Sequence, residues 1–269
     1  MSVYESVEGL QVSLEGPVLR LVLDRPEKRN AIDDGMMVAL VENIDLAGRD
    51  EQVRAIVLAG EGGHFCGGAD IVARNAESEG RPRVGSVQRR VPSLAHRLIP
   101  LMLTVQTPIV CAVRGWAAGI GCQLALAADF TIVAEDATLW EPFLTRGFTP
   151  DSGATWLLPR LVGLVRAREL LLLGRRLDGR EAVEWGLVHA AVPDAEVADT
   201  ADRLAEELAA GPTVALGLTK WLLHAGYDAS LEQQLRAEAF GLELSSRSED
   251  FREGLRAFRE KRPPRFSGR

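Results

Sequence analysis

The sequence predicts an α/β protein in which strands and helices alternate along the first part of the chain and a layer of helices closes the C-terminal end. Three observations carry this expectation. Short β-branched apolar runs alternate with segments of helical spacing, the pattern of crossover connections and a parallel or mixed sheet. Two glycine-rich stretches each fall between a predicted strand and a predicted helix. From Leu161 onward the remaining elements read as helices, divided by Gly174, Pro193 and the pair Gly211 and Pro212.

Residues 18–23, Val-Leu-Arg-Leu-Val-Leu, alternate as a strand and run into a turn at Asp24-Arg-Pro26. Residues 31–47 have helical spacing. A second β-branched strand, residues 53–58, stops at the glycines of 60–63. The run 109–113 follows Pro108 as a third strand, residues 121–128 form a helix, and 130–133 form a fourth strand. Helices are then expected over 161–173, 179–185, 197–210, 214–224, 231–245 and 249–260. Residues 77–90, rich in charge with two glycines and a proline, read as a mobile loop. Residues 1–200 are expected to form the core and 201–269 a helical C-terminal region, together one functional unit.

Composition narrows the function. With 46% apolar and 26% charged residues and a formal charge of -7, the chain reads as an ordinary soluble domain, and its acidic balance weighs against nucleic acid as a partner. No apolar stretch approaches the roughly 20 residues of a membrane span, and the first residues, with Glu5 and Glu8, lack a signal-peptide pattern. Cys66, Cys111 and Cys122 form no CxxC pair, which points to a reducing, cytoplasmic setting. The four histidines, at 64, 96, 189 and 224, are scattered, so no metal site is expected.

The glycine-rich stretches are His64-Phe-Cys-Gly-Gly-Ala-Asp-Ile71 and Arg114-Gly-Trp-Ala-Ala-Gly-Ile-Gly-Cys-Gln-Leu124. Small residues let the backbone approach a ligand, and the first turn of a helix offers free N–H groups with partial positive charge. Two such turns can together hold one developing oxyanion. Either alone could equally be a tight strand-to-helix turn. The glycines do not fit G-x-G-x-x-G, and neither a phosphate-cradling G-x-x-x-x-G-K-[ST] run nor a G-x-S-x-G elbow is present. Ser152, beside Asp151, reads as turn chemistry rather than a nucleophile.

Six segments in order, Arg25-Pro-Glu-Lys-Arg-Asn-Ala-Ile32, 65–71, 115–121, 150–153, Glu184-Trp-Gly-Leu-Val188 and the tail from Ser248 to Phe266, resemble the crotonase, or enoyl-CoA hydratase/isomerase, superfamily. The resemblance runs from about residue 10 to the C-terminus. It implies a crotonase fold, a ββα spiral core with a helical C-terminal layer, and an acyl-CoA thioester as substrate with no further cofactor. The thioester oxygen would sit between the backbone N–H groups of Ala69 and Ile120, with Gly67, Gly68, Asp70, Ile71, Gly119 and Gly121 shaping that site.

The chain departs from the family's hydratases, which resemble one another in carrying two glutamates that handle a water. Here Gln123 stands at the first position and Phe143 at the second. Glutamine can orient a water but exchanges no proton near neutral pH, and phenylalanine does neither. Glu141, two residues before Phe143, is a second-tier candidate that alternation on an extended segment would put on the face of Phe143. Asp151 is the remaining carboxylate. An aspartate in a Pro-Asp-x-Gly turn resembles the proton carrier of the family's double-bond isomerases, and residues 147–160 with Glu184-Trp-Gly resemble its 1,2-epoxyphenylacetyl-CoA isomerase branch. Trp116, Trp140 and Phe143 are expected to line and desolvate this group. Without the family context, Asp151 would read as a helix cap.

Lys28, Arg29 and Ala31 match the family's CoA contacts, and Phe258 with Lys261 match residues that reach the nucleotide of a neighbouring subunit. The expected assembly is a trimer or a dimer of trimers. The leading expectation is an isomerase that shifts a double bond through Asp151. The alternatives are a hydratase with a water held by Gln123 and Asp151, a dehalogenase using Asp151 as nucleophile, and a non-catalytic member that binds acyl-CoA or RNA.

Overall fold

The computed structural model of the chain describes residues 3–70, 85–93 and 95–269. Strands β1 (Leu10–Glu15), β2 (Val18–Leu23), β3 (Ala55–Gly60), β4 (Ile109–Val113), β6 (Phe130–Ala134) and β9 (Ala190–Val192) form one sheet in the order β1-β2-β3-β4-β6-β9. Within this sheet only the β1–β2 pair is antiparallel; β2, β3, β4, β6 and β9 run parallel. Every residue of β4 is buried, as its unbroken apolar run requires of a strand covered on both faces. A second sheet, β5 (Trp116–Ala118), β7 (Thr138–Trp140) and β8 (Arg176–Asp178), stands in the order β5-β7-β8.

The helices are α1 (Asp34–Ala47), α2 (Ser86–Arg90), α3 (Ala95–Thr104), α4 (Ile120–Ala127), α5 (Ala154–Leu172), α6 (Gly179–Glu184), α7 (Val197–Ala210), α8 (Thr213–Ala225), α9 (Leu231–Ser245) and α10 (Glu249–Glu260). The α/β class and the helical C-terminal layer are as the sequence predicts. The boundaries follow local chemistry: α1 starts at Asp34 rather than residue 31 because Asp33 Oδ1 accepts the Met36 N–H at 2.9 Å. The helix expected from residue 161 begins at Ala154 and is bent at Gly163, whose φ of 74° breaks helical geometry. The division expected at residue 200 falls inside α7, whose Val197, Ala201, Ala205 and Ala209 are buried. The loop expected over 77–90 lies mostly outside the described residues, as does Ile71.

One cluster of buried side chains joins β1–β4 and β6 to α1, α4 and α7. Its effect on function is to fix the C-terminal ends of β3 and β4, where the two glycine-rich turns begin.

Candidate active site

The two turns run side by side as a short ladder. Phe65 N–H donates to Arg114 O at 2.8 Å, Cys66 N–H to Trp116 O at 2.8 Å and Ala118 N–H to Cys66 O at 2.9 Å. Gly121, in the first turn of α4, comes so close that a Cβ there would lie 2.6 Å from Cys66 Cβ and 2.7 Å from Cys66 O, so hydrogen alone fits. On the other flank Ile32 N–H donates to Gly68 O at 2.9 Å and Asp70 N–H to Ile32 O at 2.8 Å. Gly68, at φ 111°, turns the Ala69 N–H out of this ladder. Ile120 is the first residue of α4, where an N–H has no partner within the helix. Among the described residues neither the Ala69 nor the Ile120 N–H donates to a backbone acceptor across turns and loops. Ala69, Ile120, Phe143 and Asp151 line one cavity of about 80 Å³.

Asp151 reaches that cavity from the turn ahead of α5. Ser152, at φ 51°, and Gly153, at φ 88°, reverse the chain there, and Ser152 Oγ donates to Asp151 Oδ1 at 2.9 Å. Gly153 is the cap of α5 and no side chain caps it, so the carboxylate is not consumed as a helix cap. Asp151 is exposed, not enclosed by the desolvating apolar lining expected for it, because Trp116 and Trp140 are not among the residues of that cavity; its carboxylate is an acceptor with one oxygen oriented by Ser152.

The residues around it divide. Phe143 is buried in the lining, edge-on to Phe148 at 5.6 Å. Gln123 is fully buried in α4, and its Nε2 donates to Glu141 Oε1 at 2.5 Å. Burial pushes the Glu141 carboxyl up to about 8, against the hydrogen bonds from Gln123 and Cys122 and with a smaller push from the Asp151 charge. The alternation expected between Glu141 and Phe143 fails because β7 ends at Trp140 and Phe143 already has helical backbone, φ −55° and ψ −58°. Glu141 therefore packs under α4 while Phe143 faces the cavity.

Trp116 and Trp140 do not line this cavity. They meet edge to face at 5.8 Å, with the Arg176 guanidinium 4.4 Å from the Trp140 ring centre and Arg29 5.7 Å from that of Trp116. Asp70, 6% exposed, pairs with Arg25 at 3.1 Å and Lys28 at 3.4 Å, so it anchors the cationic loop. Arg25 also donates to Ala31 O at 3.0 Å, and Gly67 N–H to Arg29 O at 2.7 Å. Sequence reasoning overlooked Asn30, which is fully buried at φ 56° and donates to Glu61 O and His64 O, tying this loop to the first turn. Its signal was the tolerance of asparagine for left-handed backbone. Lys28 and Arg29 are exposed beside the turn, and Phe258 and Lys261 are exposed at the end of α10, Phe258 at 84%.

A second and larger cavity, of about 580 Å³, adjoins the first through Ser152, which lines both. Its walls are α3 (Ile99, Leu103), the start of α5 (Trp156) and the end of α8 (Trp221, His224, Ala225). Burial holds the His224 imidazole below its ordinary value, so the wall it forms is uncharged near neutral pH. A site of this volume and apolar character is the usual size for a small-molecule group. No sequence signal pointed to it, because its walls come from three segments spread between His96 and Ala225.

Residues 14–269 match the family model described as enoyl-CoA hydratase/isomerase. The chain is similar to the 1,2-epoxyphenylacetyl-CoA isomerase of Escherichia coli, 42% identical over 265 residues that cover 98% of this chain and 100% of the relative. It is similar to the 2,3-dehydroadipyl-CoA hydratase of the same organism, 32% identical over 97% of this chain and 99% of that one. Among solved structures it resembles the enoyl-CoA hydratase of Bacillus anthracis, with a TM-score of 0.90, 31% identity and coverage of 97% and 100%.

Proposed function

We propose a reaction from a plain premise: this chain belongs to the enoyl-CoA hydratase/isomerase family and is an acyl-CoA enzyme. Our reading is that it shifts a carbon–carbon double bond in an acyl-CoA by moving one proton through Asp151. The thioester oxygen accepts the N–H groups of Ala69 and Ile120, which makes the α-proton acidic. Asp151 removes that proton, the two donors hold the resulting dienolate, and the same carboxyl returns the proton at the γ-carbon. Each donor of this kind is worth roughly 2.7–4 kcal/mol of barrier, and a positioned base contributes about 10²- to 10⁴-fold.

The observation that carries the reading is that Asp151, Ala69 and Ile120 line a single cavity, and that among the described residues neither the Ala69 nor the Ile120 N–H donates to a backbone acceptor. Hydration through Gln123 has less support, because its amide is engaged by Glu141 and its side chain is fully buried. Lys28 and Arg29 at the mouth, and Phe258 with Lys261 from a neighbouring copy, would take the CoA nucleotide. The apolar side chains exposed on α9 and α10, among them Leu235, Phe240, Leu242 and Leu255, suit a trimer or dimer of trimers. The distal acyl group would occupy the larger cavity.

The test offers the protein 3-enoyl-CoA and 2-enoyl-CoA thioesters, following conjugation by absorbance and water addition by mass. The reading predicts conjugation of the 3-enoyl thioester without gain of mass. Water addition to the 2-enoyl thioester as the faster reaction would contradict it.

A further inference from the structure

We propose that Glu141 is a positioning residue of this reaction: as a neutral acid it holds Gln123 beneath the first turn of α4 and keeps a second negative charge away from the oxyanion site. The proposal rests on the enolate reading above and adds to it a pH limit. Gln123 lies three residues after Ile120, one oxyanion donor, in the same helical turn. Its Nε2 donates to Glu141 Oε1 at 2.5 Å, and Glu141 is 2% exposed. Glu141 Oε2 and Gln123 Oε1 are both buried with no protein partner.

An ionised carboxylate in this place would leave one anionic oxygen without a donor, the costly case for a buried group. A neutral carboxylic acid leaves only a hydroxyl to accommodate. Among the described residues, the groups that act on the Glu141 carboxyl are Cys122 and Gln123 from α4 and Asp151 from the turn ahead of α5, none of them a cation. Burial favours the neutral acid up to a pH of about 8.

The reaction places negative charge on Asp151 before proton removal and on the thioester oxygen after it. A second anion behind α4, on the 2% exposed Glu141, opposes the charge on the thioester oxygen through like-charge repulsion. Below the shifted value Glu141 is neutral and the oxyanion forms unopposed; as pH rises through it the rate falls.

The experiment follows kcat of the full-length protein on a 3-enoyl-CoA from about pH 6 to about pH 10. Wild type is expected to lose rate above pH about 8, approaching on the order of tenfold per pH unit. Glu141→Gln keeps the volume and an acceptor for Gln123. Whatever its rate near neutrality, it is expected to hold that rate within about twofold to about pH 9.5, since the ionisation that limits wild type is gone. The same alkaline fall in both proteins would overturn the proposal, and a purely structural role for Glu141 would not move that limb.

If Glu141→Gln does not fold, wild-type protein labelled with ¹³C at the glutamate carboxyls is titrated by NMR. A glutamate titrating near about 8 supports the proposal, and all glutamates titrating below about 6 overturns it. Asp151→Asn separates the two claims. Full activity in that variant refutes the proton-carrier reading and this proposal with it. An inactive Asp151→Asn beside an unchanged limb in Glu141→Gln refutes only the role of Glu141.

Discussion

At the scale of single residues, the close contact of Gly121 with Cys66 holds together the two glycine-rich turns that carry the proposed donors Ala69 and Ile120. A methyl group on Gly121 would meet a Cβ at 2.6 Å and a carbonyl oxygen at 2.7 Å, and backbone cannot give way as a side-chain tip can. Gly121→Ala is therefore expected to lower stability by about 1–3 kcal/mol. It should also spread the turns enough to cost a large part of one donor's effect, on the order of tenfold or more in kcat. Thermal denaturation with steady-state kinetics checks both, and a variant with wild-type stability and rate would contradict the clamp. These turns were legible in the sequence because small residues packed into seven or eight positions are a local signal. Asp151 stood out only through the family resemblance, since its Pro-Asp-Ser-Gly turn alone reads as a helix cap. The environment of Glu141 was not legible: it depends on where β7 ends, and alternation applied one residue too far put Glu141 on the wrong face. Trp116 and Trp140 were expected to line the Asp151 site under the isomerase resemblance, whereas the structure uses them as a platform for Arg176 and Arg29.

At the scale of elements, α8 is fastened to the main sheet by one buried ion pair. Lys220 Nζ lies 2.7 Å from Asp129 Oδ2 and donates to Thr107 O at 3.3 Å, while the same Asp129 oxygen accepts the Ile109 N–H at 2.8 Å. One carboxylate thus joins the start of β4, the approach to β6 and the helix whose Trp221 and His224 wall the larger cavity. Removing one partner of a buried pair leaves an uncompensated charge, so Lys220→Met is expected to cost about 3–5 kcal/mol in denaturant unfolding. A cost below about 1 kcal/mol would show that α8 is held by packing alone. Helices α9 and α10 match their sequence-based bounds because caps mark them, the Ser230–Gln233 capping box and the Ser248 cap, while α7 matches its bounds with no side-chain cap, ended by Gly211. Strands β5, β7, β8 and β9 have three residues each, too few to show a period, and stayed unread. The first two turns of α5 were masked by Pro159 and by the turn residues ahead of them.

At the scale of the whole molecule, the chain has a formal charge of -7, and in the proposed reading it takes the anionic CoA through a few local cations, of which Lys28 is paired with Asp70. In the proposed reading the two cavities divide the work, the one of about 80 Å³ taking the reacting carbons and the one of about 580 Å³ the rest of the acyl group. Ala225 lines the larger one at its exposed edge, so Ala225→Trp should fill it without disturbing the core. The expected result is a loss of about tenfold or more in kcat/KM for long or ring-bearing acyl groups, with four-carbon substrates unaffected. Equal loss for both lengths would place the acyl group elsewhere. No helix among the described residues is long and apolar enough to cross a membrane. The central claim is that one carboxylate moves the proton, and it is tested most directly by the turnover of Asp151→Asn on a 3-enoyl-CoA, with CoA binding measured alongside. The account predicts a fall in kcat of about 10²- to 10⁴-fold with binding retained; turnover at the wild-type rate would contradict it.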